Sequence, residues 1–573
     1  MTDGREHLLA VARGDAEPDL VVTGARVFGA FTREWLEGDV AVSDGRIAGV
    51  GRYDGGERVD ASGALLVPGF VDAHVHIESS KLLPAEFARV VVPRGTTTVV
   101  CDPHEIANVL GVDGAHWLLD ASAGLPLRVY AMAPSCVPAS ALESPRMPLG
   151  PGELASLLRR RRVLGVAEVM DFPAVVAGDA SVLAKVALHE HVDGHAPGVL
   201  GHDLDAYAAA GIRSDHESTT WQEALEKRRR GMWVLLREAS TARDLHALLE
   251  LVRRYGPEHC AFCTDDREAD TLLDEGHIDA MCRAAVAEGI APEDALLMAT
   301  LHGARCHRLS DLGAIAPGYR ADMAVLEDLS GFRARLVIAG GRVAARDGET
   351  LPFAGPPVPE WVRGTVRPAP LAADAFALGP AAGGDRVRVI EIVPGQLVTG
   401  AGEEKPPIRD GRVAADPERD LAKLAVIERH HGTGRIGVAL VRGFGLRRGA
   451  FASTVAHDAH NLVVAGVDDA DMAACVDRLV ALGGGIAVAA GGAVRGELAL
   501  PVAGLLSEAP AEVVAAGLDE LTGLLRELGV TVEAPFITLS FLALSVIPAL
   551  KLTDHGLVDV ARGEVVPLMT RSR

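Results

Sequence analysis

Between residues 68 and 308, apolar runs of strand length end in polar residues eight times, and helix-like stretches separate most of them. The first run, Leu65-Leu-Val-Pro-Gly-Phe-Val-Asp-Ala-His-Val-His76, ends on two histidines. The second is Gly95-Thr-Thr-Thr-Val-Val-Cys-Asp-Pro-His-Glu105, and the third is Arg128-Val-Tyr-Ala-Met-Ala-Pro-Ser135. Val163–Met170, the short Val192–Pro197, Ile212–Glu217, Met232–Glu238 and His259–Asp266 complete the set. Candidate helices cover Pro84–Val92, Gly111–Ala121, Thr220–Arg230, Ala242–Tyr255 and Pro292–Cys306. Eight such units over roughly 240 residues predict an α/β protein built on a (β/α)₈ TIM-like barrel, whose reacting groups collect at the C-terminal ends of the strands.

The flanks have a different texture. Leu20–Phe28 and Asp39–Val50 alternate around the hairpin signal Asp44-Gly45, and similar short strands return at Ala321–Leu326 and Leu336–Val343. Residues 1–67 and 309–351 are therefore expected to form one small β-sandwich domain from both flanks, with 68–308 as a metal-binding barrel. The Pro/Gly/Ala-rich stretch 352–384 reads as a linker. Residues 385–573 read as a C-terminal α+β domain, with strands at Val387–Val393 and Gly437–Val441 and a helix at Ala470–Leu482.

A formal charge of −22 disfavours nucleic acid, whose phosphates need basic faces. The basic run Arg159–Arg162 follows a helical pattern and reads as a solvated helix end. No apolar run long enough to span a membrane is present, and the polar start Met1–His7 argues against secretion. Seven scattered cysteines fit a reduced, cytoplasmic protein, with Cys260-Ala-Phe-Cys263 as buried small residues. Size and acidic composition fit a homo-oligomer.

In a strand, residues two apart share a side, so His74 and His76 face one space. Alone, His-x-His is weak evidence. The other strand ends supply partners: Asp102, His104 and Glu105, then Glu168, His195, His216 and Asp265. Four imidazoles and two acids from separate strands can surround two divalent ions about 3.5–4 Å apart, with Glu168 able to bridge them. A nitrogen and oxygen set without thiolate suits Mn²⁺, the first expectation, with Fe²⁺ or Zn²⁺ as alternatives. Such ions make a nucleophile of water, so hydrolysis at an electrophilic carbon is expected.

Pro68-Gly-Phe-Val-Asp-Ala-His-Val-His-Ile-Glu-Ser-Ser80 resembles the amidohydrolase superfamily. Asp102-Pro-His-Glu-Ile-Ala-Asn-Val-Leu-Gly111, Ser214-Asp-His-Glu217, Cys263-Thr-Asp-Asp-Arg267 and Ala456-His-Asp-Ala-His-Asn461 narrow the similarity to its bacterial adenine deaminase family. That resemblance spans nearly the whole chain. It implies hydrolytic deamination of adenine to hypoxanthine and ammonia, with His74, His76, Glu168, His195, His216 and Asp265 as metal ligands and Glu168 bridging. Asp265 would relay a proton to the leaving amine. Glu105 or Glu217 would protonate a ring nitrogen, and His104 belongs to the same catalytic group.

Two departures stand out. Related mononuclear deaminases carry a Glu three residues after the fifth-strand histidine, where this chain has Gly198. In the loop Ala139–Pro145, the family's Phe-Glu-Thr-Ser pattern is not clean, which leaves open whether that loop touches the base. His457, Asp458 and His460, preceded by His430-His431, are expected to close the pocket from above or from a neighbouring subunit. A different purine, pterin or hydantoin as substrate, and a purine-binding protein without turnover, are the alternatives.

Overall fold

The computed structural model describes residues 3–372, 374–378 and 384–571. Eight parallel strands form the centre: β1 (Phe70–Val75), β2 (Thr96–Cys101), β3 (Arg128–Pro134), β4 (Val163–Val169), β5 (Val192–Gly194), β6 (Ser214–Asp215), β7 (Trp233–Arg237) and β8 (Cys260–Cys263). β1 to β5 pair in sequence order, as do β6 to β8. Arg213 N donates to Val192 O at 3.0 Å across the β5–β6 seam. At the other seam, Asp265 N donates to His74 O at 3.0 Å and His76 N to Asp265 O at 3.2 Å. The ring is thus closed by the backbone of three of the strand-end residues singled out above.

Nearly every residue of these strands is buried, as expected for a parallel sheet covered on its outer face by helices and filled within. Gly69, at the entry to β1, has no room for a side chain, since a Cβ there would run into Thr97 of β2. Helices cover the outside at Pro84–Val91, Val112–Ala121, Trp221–Arg229 and Leu245–Tyr255. The Trp221 helix is started by Thr220, whose hydroxyl accepts from Glu223 N at 3.3 Å. The expected helix Pro292–Cys306 is instead two, Pro292–Ala299 and Leu301–Cys306. Thr300 interrupts it and turns its hydroxyl back onto Leu296 O at 2.6 Å. The basic run follows the end of the helix Pro151–Leu158, and Arg160 pairs there with half-exposed Asp120.

The flanks make two facing sheets. One has seven strands and joins Arg26–Gly29, Glu34–Glu37 and Leu65–Pro68 to the returning strands between Met323 and Thr350. The other has four strands, between Leu20 and Asp60. Their shared core holds Leu20, Val40, Ile47 and Leu66 with Met323, Val325 and Ile338. Leu66 pairs directly with Val325, so the two ends of the barrel sequence meet in one ladder. An additional helix, Asp3–Arg13, packs Val11 near Ala41 and Ala48.

Within 352–384 the described residues hold one 3₁₀ turn, Glu360–Val362, and no strand; positions 373 and 379–383 lie outside the described residues. Beyond it, a nine-stranded sheet runs from Arg386 to Thr570 and carries the helices Asp469–Leu482 and Ala511–Glu527. This part sits on the C-terminal rim of the barrel. Ser507 N donates to Lys81 O at 2.8 Å and Arg146 Nη1 to His430 O at 2.8 Å.

Candidate active site

β1, β4, β5, β6 and the residue pair after β8 deliver His74, His76, Glu168, His195, His216 and Asp265 to one buried cluster. Glu168 sits at its middle. Its Oε1 lies 3.6 Å from His74 Nε2 and 3.3 Å from His76 Nε2, while Oε2 lies 2.7 Å from His195 Nδ1 and 3.2 Å from His216 Nε2. One carboxylate therefore turns its two oxygens to two different imidazole pairs. Asp265 Oδ1 is 3.2 Å from His76 Nε2 and 3.7 Å from His74 Nε2.

The outer hydrogen bonds fix what the inner atoms offer. His76 Nδ1 donates to Asp102 O at 3.0 Å, and His74 Nδ1 donates to Asp193 Oδ2 at 3.1 Å. With both protons on Nδ1, each Nε2 presents a bare lone pair, and those two atoms are 3.2 Å apart. Facing lone pairs at that separation repel unless a cation lies between them, so the donor set fits divalent ions. Without a cation there, the surrounding carboxylates draw a proton onto His74 in its place. Burial works to lower His74, yet Asp193 and Glu168 outweigh it and push it up to about 10. Burial works to raise Glu168, but His216 and His195 hold it well below the usual carboxylate range.

Two buried cations brace the rim. Arg237, at the end of β7, donates to Asp265 Oδ2 at 3.1 Å and to Asp244 Oδ2 at 2.8 Å, and it also pairs with Glu217. Lys227 is fully shielded within the Trp221–Arg229 helix. Its ammonium donates to Asp215 Oδ2 at 2.7 Å, Glu223 Oε1 at 2.8 Å and Ala196 O at 2.7 Å. Asp215 in turn accepts from Ala196 N and Glu217 N, which ties the loop after His195 to the loop after His216.

His104 and Glu105 open the helix α1 (His104–Leu110). His104 Nδ1 is 3.5 Å from Glu168 Oε1, and its Nε2 is 3.2 Å from Glu105 Oε1. Glu105 also meets the C-terminal part of the same chain, where Glu105 Oε1 is 2.6 Å from His457 Nδ1 and Oε2 bonds His460 Nε2. Burial works to raise Glu105, but His457, His460 and His104 hold its carboxyl well below the usual range. The sequence reading offered Glu105 or Glu217 as the group that protonates a ring nitrogen, and both oxygens of Glu105 are taken up by imidazoles. Glu217 is paired with the Arg237 guanidinium and lies 3.6 Å from His216 Nε2.

Beside this cluster lies a small cavity, lined among others by Ser79, Asp266, His457, Ser540 and Phe541. Ser79 follows His76 by three residues, Asp266 follows Asp265, and from the cavity wall His457 reaches Glu105. The His457 ring stacks on Phe541 with centroids 4.4 Å apart. The loop Ala139–Pro145 docks on the C-terminal part: Ser144 Oγ donates to Asp554 Oδ2 at 2.7 Å, and Ser140 Oγ meets Ser545 Oγ at 2.7 Å. None of its residues lines the cavity.

All ten strand-end residues named from the sequence thus fall within one buried constellation, and His457 and His460 reach it within the same subunit. Sequence reasoning gave no role to Arg237, Lys227 or Asp193. Arg237 was visible as a charge ending the Leu-Leu-Arg run, and Asp193 as the acid two residues before His195.

Comparison with known proteins places the chain in a family. The amidohydrolase family pattern matches residues 65–344, and the adenine deaminase C-terminal domain pattern matches residues 396–564. Adenine deaminase 2 of Carboxydothermus hydrogenoformans is 48% identical over 98% of this chain and 99% of its own length. The adenine deaminase of Archaeoglobus fulgidus is 47% identical over 98% and 97%, and that of Desulfatibacillum aliphaticivorans 45% over 97% and 98%. With such identity along both chains, this protein belongs to the adenine deaminase family of metal-dependent amidohydrolases.

Proposed function

We propose that the chain deaminates adenine hydrolytically, releasing hypoxanthine and ammonia, at a centre of two divalent ions held by His74, His76, Glu168, His195, His216 and Asp265. The observation that carries this is Glu168, whose two oxygens face His74 and His76 on one side and His195 and His216 on the other. When bound, the ions supply a water ready to lose a proton and polarise the carbon it attacks. Mn²⁺ is the preferred ion, with Fe²⁺ and Zn²⁺ as alternatives.

The chain's own groups do the rest. Asp265, oriented by Arg237, accepts the water proton and passes it to the leaving amine. His104 joins Glu168 to Glu105, which positions the C-terminal wall. The barrel at 68–308 does the chemistry, 1–67 with 309–351 supports it, 352–384 links, and 385–573 covers the site. Seven unpaired, buried cysteines support a reducing, cytoplasmic setting, and no helix among the described residues is long and apolar enough to cross a membrane. The partner is a small molecule, not nucleic acid or membrane, and a homo-oligomer is the expected assembly.

The test is ammonia release from adenine by protein stripped of metal and reloaded separately with Mn²⁺, Fe²⁺ or Zn²⁺. Turnover should return with metal and disappear in Glu168→Gln and Asp265→Asn. No release with any ion, from folded protein binding two metals, would discard adenine and turn attention to other cyclic amidines and amides.

A further inference from the structure

Hydrolysis at C6 of adenine asks for a proton at the ring nitrogen beside it, because the electron pair of the C=N bond must go somewhere as C6 becomes tetrahedral. The two acids first expected to give that proton do not suit the task. Glu105 has both oxygens engaged, by His457 and His460, and Glu217 is paired with Arg237. The wall of the cavity offers another group.

His457 follows the strand Ala450–Ser453 of the C-terminal sheet and lines the cavity beside the metal-ligand cluster. Its backbone N donates to Ser540 Oγ at 3.1 Å, and its ring is pressed flat on Phe541. Nδ1 is engaged by Glu105 at 2.6 Å, which leaves Nε2 as the ring atom that can meet a ligand. His460 fixes the other oxygen of Glu105. Its Nδ1 accepts from Ala456 N at 3.0 Å, so its proton sits on Nε2 and is donated to Glu105. Glu105 is thereby clamped from both sides and aims His457. Resting on the adenine reading above, we propose that His457 is the catalytic acid that protonates the purine ring nitrogen as C6 becomes tetrahedral.

The proton balance closes. As the water oxygen bonds to C6, the water gives one proton to Asp265 and His457 Nε2 gives one to N1. Asp265 then protonates the amine, the C6–N bond breaks and ammonia leaves. The proton remaining on the C6 oxygen passes back to His457, and hypoxanthine keeps the one on N1. No other reactant is needed.

The groups facing His457 favour its charged form. Glu105 of α1, Asp266 after β8 and Asp458 beside it are acids, and His460 is kept neutral by burial at about 4. Burial works to lower His457, but these acids outweigh it and raise it to about 9, so it carries its proton at neutral pH. Across the cavity, Lys81 is neutralised by Glu268.

The experiment is steady-state deamination by His457→Ala and His457→Gln, with metal content and folding checked on each. Turnover should fall by about 10²–10⁴-fold, the usual contribution of a general acid, with KM changed far less. Imidazole added to His457→Ala should restore part of the rate, in proportion to its protonated fraction. The fall in wild-type turnover as pH rises past about 9 should vanish in His457→Gln. Turnover in both variants within about threefold of wild type, well short of a general acid's contribution, would overturn the proposal. So would a loss that imidazole does not relieve and that leaves the alkaline limb in place. Should His457→Ala not fold, His457→Gln and its pH profile decide alone. Wild-type protein in the same assay separates the readings: a silent wild type sinks both, whereas an active wild type with active variants sinks only the role of His457.

Discussion

Asp193 Oδ2 lies 3.1 Å from Nδ1 of His74, and the remaining oxygen of the same carboxylate accepts from Ser214 Oγ and, at 3.0 Å, from Gly194 N. The acid is fully buried. Its work is to keep the proton of His74 on Nδ1 and the ring turned inward. Partners of this kind contribute about 10–100-fold to metal affinity. Asp193→Ala should weaken metal retention by that order, read by competition with a chromogenic chelator. Unchanged retention would mean that the ring is oriented by packing alone.

Much of this was legible before any coordinates. Apolar runs that stop abruptly at a charged or imidazole side chain mark the C-terminal ends of buried parallel strands, so the eight barrel strands and His74, His76, Glu168, His195, His216 and Asp265 stood out together. What stayed hidden depends on pairing across distance. Lys227 lies in Glu-Lys-Arg-Arg-Arg230, a stretch that reads as solvent-facing, and only the fold shows it buried under Asp215. Arg237 could be seen, but its three acids come from positions 217, 244 and 265 on separate elements. The meeting of Glu105 with His457 and His460 spans some 350 residues of chain, and no local pattern encodes it. The break at Thr300 was missed because its neighbours are good helix formers on both sides.

Cys260 and Cys263 sit on β8 with wholly buried side chains, and burial pushes the Cys260 thiol up to about 12 and the Cys263 thiol well above its usual value. A thiol becomes reactive as the thiolate. Folded protein at pH 8 should therefore leave both unmodified by a thiol-specific disulfide reagent over minutes, and both should react on unfolding in guanidinium. Rapid reaction of the native pair would revive a redox role for the Cys-x-x-Cys motif.

His302 is buried against Trp233, donates from Nδ1 to Cys260 O at 3.0 Å, and is lowered by burial to about 4. Between pH 6.5 and about 4 the unfolded chain takes up a proton there that the folded chain refuses. Its contribution is therefore present above pH 6.5 and lost as pH falls through that window, by roughly 3 kcal/mol at most. In His302→Asn, where the amide can keep the bond to Cys260 O, urea stability should fall less between pH 6.5 and 4.5 than in the parent. Parallel declines would show that His302 is not a source of the acid sensitivity.

Arg237 is almost wholly buried and shared among Glu217, Asp244 and Asp265. Arg237→Met would leave those acids buried with their common cation gone, a change of the kind that costs about 3–5 kcal/mol. The cost should depend on pH, with a sign that can be worked out. In the parent, the guanidinium and His76 overcome burial and hold Asp265 well below the usual carboxylate range, so its contribution is present above the unfolded value and lost on acidification. In the variant, burial without the cation raises these carboxyls, so the folded chain binds protons that the unfolded chain releases. Acid then favours the variant relative to the parent. The difference between their urea midpoints, measured on metal-free protein, should be large at pH 8 and clearly smaller at pH 5. An equal difference at both values would place the loss in packing of the arginine stem and not in its charge.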